Sequence, residues 1–207
     1  MDGRRDFDAE PRGRACASFA LEQDERRPRK RRLFFALWPD ESTRGRLAAF
    51  LEVLPRGEGR DMRAENLHLT LAFLGDCEEG LLTCLDEVGA ALTGQPFELI
   101  FDRLGHFRRA RVLWLGVSQP PRELLELQER LAGLLASRCG LPRDERPFAP
   151  HLTLRRDARH PCPWPEGMPP VSWRAEGIVL AESLNGPNGV RYQPIREWPL
   201  TGVPVAG

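Results

Sequence analysis

Lysine is nearly missing from this chain: Lys30 stands alone beside 29 arginines. An excess of either charge is missing too, because 30 basic residues meet 30 acidic ones. A chain with zero formal net charge does not hold nucleic acid by its overall field, although a local basic site is left open. No apolar run approaches the roughly 18 residues of a membrane-spanning helix, so no membrane association is expected. Five cysteines, at 16, 77, 84, 139 and 162, contain no CxxC pair. That spacing argues against a zinc ribbon or a disulfide framework. Reduced thiols in a cytoplasmic protein are the expectation.

What is present divides the 207 residues unevenly. Residues 1–32 carry ten basic and seven acidic residues with no apolar period, and end in RRPRKRR. Such a segment buries too little apolar area to offset its ordering entropy. A disordered basic extension is expected there. Arg4-Arg5 could open an export signal, but Asp8, Glu10, Arg12 and Arg14 follow in place of an apolar stretch, so none is expected.

From Leu33 the pattern changes. LFFALW (33–38) suits a strand buried on both faces. Asp40 can cap a helix carrying Leu47, Phe50, Leu51 and Leu54, which Pro55 ends. NLHLTLAFLG (66–75) alternates like a strand. Asp76 with Glu79 resembles a capping box before a stripe of Leu81, Leu85, Val88 and Leu92, closed by Gly94. Residues 97–107 and 111–117 predict two strands around a basic turn. Pro120 and Pro121 open a helix with Leu124, Leu127, Leu131, Leu134 and Leu135 inside, and Gly140 closes it. RPFAPHLTLRR (146–156) predicts another strand, residues 157–170 a proline-rich loop, and 173–184 with 190–200 a long hairpin around NGPNG. Strands and helices mix with hairpins, so an α+β (mixed α/β) architecture with antiparallel sheets is expected. The domain boundaries run 1–32, 33–200 and a tail at 201–207.

The chemistry sits in a repeat. His68-Leu69-Thr70-Leu71 recurs as His151-Leu152-Thr153-Leu154, and these use two of only four histidines. Residues i and i+2 of a strand share a face. Each copy therefore offers an imidazole beside a hydroxyl, with leucines on the opposite face. Two such strands brought together supply an acid, a base and two hydroxyls that can hold phosphate oxygens. A metal site would need a third ligand. His106 and His160 lie in basic or proline-rich stretches with no carboxylate cluster, so no metal and no cofactor are expected.

Paired HxTx motifs resemble the signature of the two-histidine (2H) phosphoesterase superfamily. The surrounding blocks RLFFALWPD, ENLHLTLAFLG, RPFAPHLTLRR and ESLNGPNGVRYQPIREWPL are similar to its bacterial RNA 2′,3′-cyclic phosphodiesterase branch, also called 2′-5′ RNA ligase. The resemblance implies a bilobal fold, with two pseudo-symmetric lobes of antiparallel sheet plus helices around a central cleft. It implies hydrolysis of RNA 2′,3′-cyclic phosphate ends to 2′-phosphomonoesters, with reversible 2′-5′ ligation by the same groups. His68 is then the proton donor, His151 the proton acceptor, Thr70 and Thr153 the phosphate-holding hydroxyls, and Arg156 a substrate-binding arginine. Arg155 stands where the family usually has a small residue and is a candidate for altering substrate preference. The implied partner is RNA or a nucleotide bearing a 2′,3′-cyclic phosphate, bound by a monomer. Two alternatives stand beside this reading: a non-catalytic nucleotide- or RNA-binding module, and a 2H enzyme acting on another small cyclic nucleotide or a 2′-5′ oligonucleotide.

Overall fold

A computed structural model describes residues 30–187 and 189–202. Most of the extension expected over 1–32, and most of the tail expected over 201–207, lies outside the described residues. The first strand, β1, covers Lys30–Leu37, so residues 30–32 are strand and not extension. Arg31 is anchored there by an ion pair with Glu182.

The strands follow as β2 (Arg60–Asp61), β3 (Leu69–Glu78), β4 (Phe97–Phe101), β5 (Arg103–Phe107), β6 (Val112–Gly116), β7 (His151–Arg156), β8 (Val171–Ala175), β9 (Gly177–Gly186) and β10 (Gly189–Pro199). Three helices intervene: α1 (Glu41–Val53), α2 (Leu82–Ala91) and α3 (Arg122–Cys139). One eight-stranded sheet runs β10-β9-β1-β3-β7-β6-β5, with β2 on β7, and β4 pairs with β8 in a second sheet. Every described pairing is antiparallel. The α+β expectation with antiparallel sheets holds.

β1 is apolar on both faces because it separates two clusters. Leu33, Phe35 and Leu37 enter the main core with the helix stripes. Phe34 and Ala36 join Val179 and Ala181 on the other face, with Trp38 and Tyr192 packed against them. Truncating a side chain such as Phe35 to alanine removes transfer energy and leaves a cavity, at a cost of about 3–5 kcal/mol.

The helices follow their sequence signals closely. Asp40 accepts a 2.7 Å hydrogen bond from the Thr43 amide and caps α1. Leu124, Leu127, Leu131 and Leu135 form the buried stripe of α3, which Gly140 closes at φ 65°. The capping box is a miss. Asp76 lies inside β3, and α2 begins at Leu82 after a short 3-10 turn with no side-chain cap.

Three other expectations are corrected. Residues 97–107 break at Asp102, whose carboxylate accepts hydrogen bonds from the Ser118 amide and hydroxyl. The two halves enter different sheets. The closing hairpin is β9–β10, while 171–175 leaves it to pair with β4. The expected set of reduced thiols is also wrong in part: Cys84 and Cys139 form a disulfide that ties α2 to α3, with Cα atoms 5.9 Å apart. The two lie 55 residues apart, a pairing that local spacing cannot announce. Cys77 and Cys162 are free. Among the described residues no helix is long and apolar enough to cross a membrane.

Candidate active site

β3 and β7 are the two motif strands, and they touch at one pair, Leu69 opposite Leu152. Carrying the antiparallel register one residue each way sets His68 opposite Thr153 and Thr70 opposite His151. The two HLTL copies are thus related by the local two-fold of an antiparallel pair. Leu69, Leu71, Leu152 and Leu154 are all buried in the main core. The expected face separation is realised, and the histidines and threonines lie on the other face, at the centre of the large sheet.

Each imidazole is fixed the same way. His68 Nδ1 donates to the Asn66 carbonyl at 2.7 Å, and His151 Nδ1 donates to the Ala149 carbonyl at 2.7 Å. A carbonyl only accepts, so Nδ1 carries the proton in both rings and Nε2 is left to exchange one at the site. His68 Nε2 accepts from the Thr70 hydroxyl at 3.1 Å. Because a backbone carbonyl does the holding, this bond itself asks nothing of the side chain two residues before each histidine, which is Asn66 in one copy and Ala149 in the other.

The surroundings then differ. His68 lies stacked on Trp38 (5.4 Å between centroids, 9° between planes), with Phe34 and Tyr192 each at 4.9 Å. Burial pushes its pKa down to about 4, the positive charge of Arg156 and the presence of His151 push the same way, and the Asn66 carbonyl opposes. His151 meets the edge of Phe107 at 5.0 Å and Trp114 at 6.2 Å. Its pKa is also lowered, by burial and then Arg156, against the Ala149 carbonyl. Both rings are therefore neutral at pH 7 in the free protein.

Arg156 reaches this face through a bulge. Trp114 pairs with Thr153 but Leu113 pairs with Arg155, so Leu154 is an extra residue on β7. One extra residue reverses the alternation. Arg156 therefore returns to the histidine side, where it donates to the Tyr192 hydroxyl at 3.1 Å. Arg155 does not join the site. It is buried, paired with Asp61, and donates to the Pro55 carbonyl at 3.1 Å. The expectation that it tunes substrate preference is replaced by a bracing role for the segment leading into β2.

Asn66 and Tyr192 were not legible as site residues. The Asn66 amide donates to the Val190 carbonyl at 2.9 Å and its oxygen accepts from the Tyr192 amide at 3.0 Å. This hooks the turn before His68 onto β10. Trp114 needs glycine neighbours, because a Cβ on Gly105 would come within 2.0 Å of its ring and one on Gly116 within 2.5 Å. His106 lies in β5, and its Nε2 bonds the Ala158 carbonyl at 2.8 Å rather than joining the other imidazoles. Among the described residues no group of three or more His, Cys, Asp or Glu side chains gathers as a metal site would.

Two neutral imidazoles with unprotonated Nε2 atoms, one of them accepting from Thr70, together with two hydroxyls and a guanidinium on one sheet face, can move protons around a bound anion. Known proteins are similar to this chain in sequence and fold. Residues 39–187 match the 2′-5′ RNA ligase superfamily profile. An Escherichia coli protein named RNA 2′,3′-cyclic phosphodiesterase is 36% identical over 171 residues, covering 82% of this chain and 97% of its own. A Thermotoga maritima protein of the same name is 30% identical over 183 residues, covering 83% and 96%. A solved phosphoesterase structure superposes at a TM-score of 0.73 with 35% identity, over 84% of this chain and 99% of that one. Escherichia coli LigT complexed with 3′-AMP superposes at 0.72, with 35% identity and the same coverage.

Proposed function

This chain belongs to the 2′-5′ RNA ligase superfamily, and from that premise we propose that it hydrolyses RNA 2′,3′-cyclic phosphate ends to 2′-phosphomonoesters. The observation that carries the reading is the pairing of the two HLTL strands at Leu69 and Leu152, which puts an imidazole and a hydroxyl from each half on one face.

In the reaction His151 Nε2 takes a proton from water as the water oxygen attacks phosphorus. The bond from phosphorus to the ribose 3′ oxygen breaks, and His68 Nε2 gives its proton to that oxygen. The 2′ oxygen keeps the phosphate. Thr70 and Thr153 donate to the non-bridging oxygens, and Arg156 adds a charge-assisted bond to the same group. His151 ends protonated and His68 neutral, and solvent resets both. With a 5′-hydroxyl in place of water, the same steps run 2′-5′ ligation.

The donor role of His68 follows the family resemblance and makes one demand. Its low pKa means that the proton must arrive with the substrate. A bound phosphate supplies the condition: its negative charge favours the imidazolium and offsets Arg156, one of the charges that lowers His68. No metal enters these steps. The reading also takes the strands on either side of the Leu69–Leu152 pair as two lobes, with RNA or a nucleotide as partner. One chain supplies both motifs, so a monomer in the cytoplasm suffices.

The test is incubation with 2′,3′-cyclic AMP after exhaustive chelator treatment, with the product resolved as 2′-AMP or 3′-AMP. Formation of 2′-AMP is expected. Binding without turnover leaves a nucleotide-binding module, 3′-AMP reverses the assignment of the leaving oxygen, and turnover that returns only on adding a metal contradicts the metal-free mechanism.

A further inference from the structure

Arg103 stands in the same row of the sheet as His151. β5 sets Arg103 opposite Gly116, and β6 sets Gly116 opposite His151. Residues opposite one another share a face, so Arg103 lies on the catalytic side, two strand spacings or about 10 Å from His151. Gly116 leaves the strand between them without a side chain, and Arg103 leans into that gap: a Cβ on Gly116 would meet the Arg103 Nε at 3.4 Å. The Arg103 guanidinium carbon lies 5.3 Å from the Trp114 centroid, and the Trp114 ring lies 6.2 Å from His151. The indole thus holds the cation beside the histidine by a cation–π contact. Arg103 is exposed and forms no ion pair among the described residues. The neighbouring Asp102 gives its carboxylate to the Ser118 amide and hydroxyl instead.

The proposed reaction says which substrate group could meet this charge. In phosphoryl transfer the attacking and leaving oxygens lie roughly in line across phosphorus. His68 serves the leaving 3′ oxygen, which stays on the ribose of the cyclic end, so that nucleoside belongs to the His68 side. His151 serves the nucleophile. Water brings nothing else with it and asks nothing of Arg103. A 5′-hydroxyl brings its nucleoside and, on an RNA, a 3′-phosphodiester. A guanidinium suits that group, because it can bind two phosphate oxygens by parallel charge-assisted bonds.

We propose that Arg103 is the acceptor-strand site of 2′-5′ ligation: it binds the first phosphodiester of the RNA whose 5′-hydroxyl attacks the cyclic phosphate. The inference rests on the proposed reaction and deepens it, giving the second substrate as an RNA 5′ end. In the step that Arg103 serves, His151 takes the proton of the 5′-hydroxyl as its oxygen bonds phosphorus. The bond from phosphorus to the 3′ oxygen breaks, and His68 protonates that oxygen.

The experiment measures formation of 2′-5′-linked product from a saturating donor, a short oligoribonucleotide with a 2′,3′-cyclic phosphate end and a 5′-phosphate that bars self-attack. The acceptors are adenosine, which has no phosphate, and adenylyl-3′,5′-adenosine, which has one phosphodiester after its 5′ nucleoside. Both are titrated against the unmodified protein, Arg103→Gln and Arg103→Glu. The dinucleotide should have the lower KM in the unmodified protein. Arg103→Gln should raise the dinucleotide-to-adenosine KM ratio by about tenfold, the loss of one charged hydrogen-bonding partner, and Arg103→Glu should raise it further. A ratio that does not move in Arg103→Gln overturns the acceptor site. So does a raised KM for hydrolysis of the donor itself, which would assign Arg103 to the donor strand. Hydrolysis of the cyclic end with no 2′-5′ product in the unmodified protein also overturns it, and leaves the hydrolytic reading intact. If the unmodified protein does not hydrolyse the cyclic end, that reading fails and the acceptor site fails with it.

Discussion

The two HLTL segments have the same four residues, the same Nδ1-to-carbonyl bond and the same place at a strand crossing, yet their histidines differ. His68 lies among Trp38, Phe34 and Tyr192, bonds Thr70, and has a pKa near 4. His151 has two aromatic neighbours from the β5–β6 hairpin and a milder set of causes. The motif therefore sets the geometry, and the neighbouring strands set the protonation. An acid–base pair needs that inequality, because two identical imidazoles would have no reason to take opposite roles.

The comparison breaks most visibly if either half proves dispensable. His68→Ala and His151→Ala should each lower kcat by about 10² to 10⁴ if each moves a proton. The double variant should be little worse than the worse single, since the pair acts as a unit. Circular dichroism on the same samples checks folding. Near-normal turnover by a folded single variant makes that half a bystander.

Removing the hydroxyls sharpens the comparison. Losing one donor to a charged transition state costs about 10² to 10³ in kcat, and Thr70→Val and Thr153→Val should both fall toward that range. Only Thr70→Val should also move the limb of the pH–rate profile that belongs to His68, because Thr70 alone bonds its Nε2. An equal shift in both variants contradicts the asymmetry.

Asn66→Ala attacks one half without touching its chemistry. It takes the side-chain partner from the Val190 carbonyl and the Tyr192 amide, both only part-buried, for about 1 kcal/mol each. Denaturant unfolding should show the loss. Tyr192 should also come away from Arg156 and His68, so KM should rise with it.

The smallest effect is on stability against pH. The folded pKa of His68 is depressed from the ordinary imidazole value of about 6.5 to about 4, so the unfolded chain binds more protons in that window. Stability is fully present above the unfolded pKa and falls as pH drops from about 6.5 toward 4. His68→Gln should flatten that part of a melting-temperature profile, and an unchanged profile contradicts the burial assigned to His68.

How much of this could be read from the chain depends on whether the cause was local. The alternation in HLTL, the Asp40 cap and the Gly140 stop are decided within a turn or a strand, and all were legible. So was the gathering of the two motifs at one site, because the repeat is itself a sequence feature, whereas the direct pairing of their strands at Leu69 and Leu152 was not. The bulge at Leu154 was not, since it depends on how β6 registers against β7. It is the bulge that separates Arg156 from Arg155. The break at Asp102 depends on Ser118, and the hook made by Asn66 depends on β10. Nor does any spacing signal join Cys84 to Cys139. The capping box at Asp76 misled because a correct local signal lost to a strand that runs on to Glu78.

The most direct test of the account is an NMR titration of the His68 and His151 ring protons, with and without inorganic phosphate. In the free protein His68 should titrate near 4, below His151. Phosphate should raise both and bring His68 into the range where it can carry a proton at neutral pH. A His68 that titrates with or above His151 in the free protein, or that does not move when phosphate binds, would contradict the claim that one repeated motif is tuned into an acid and a base.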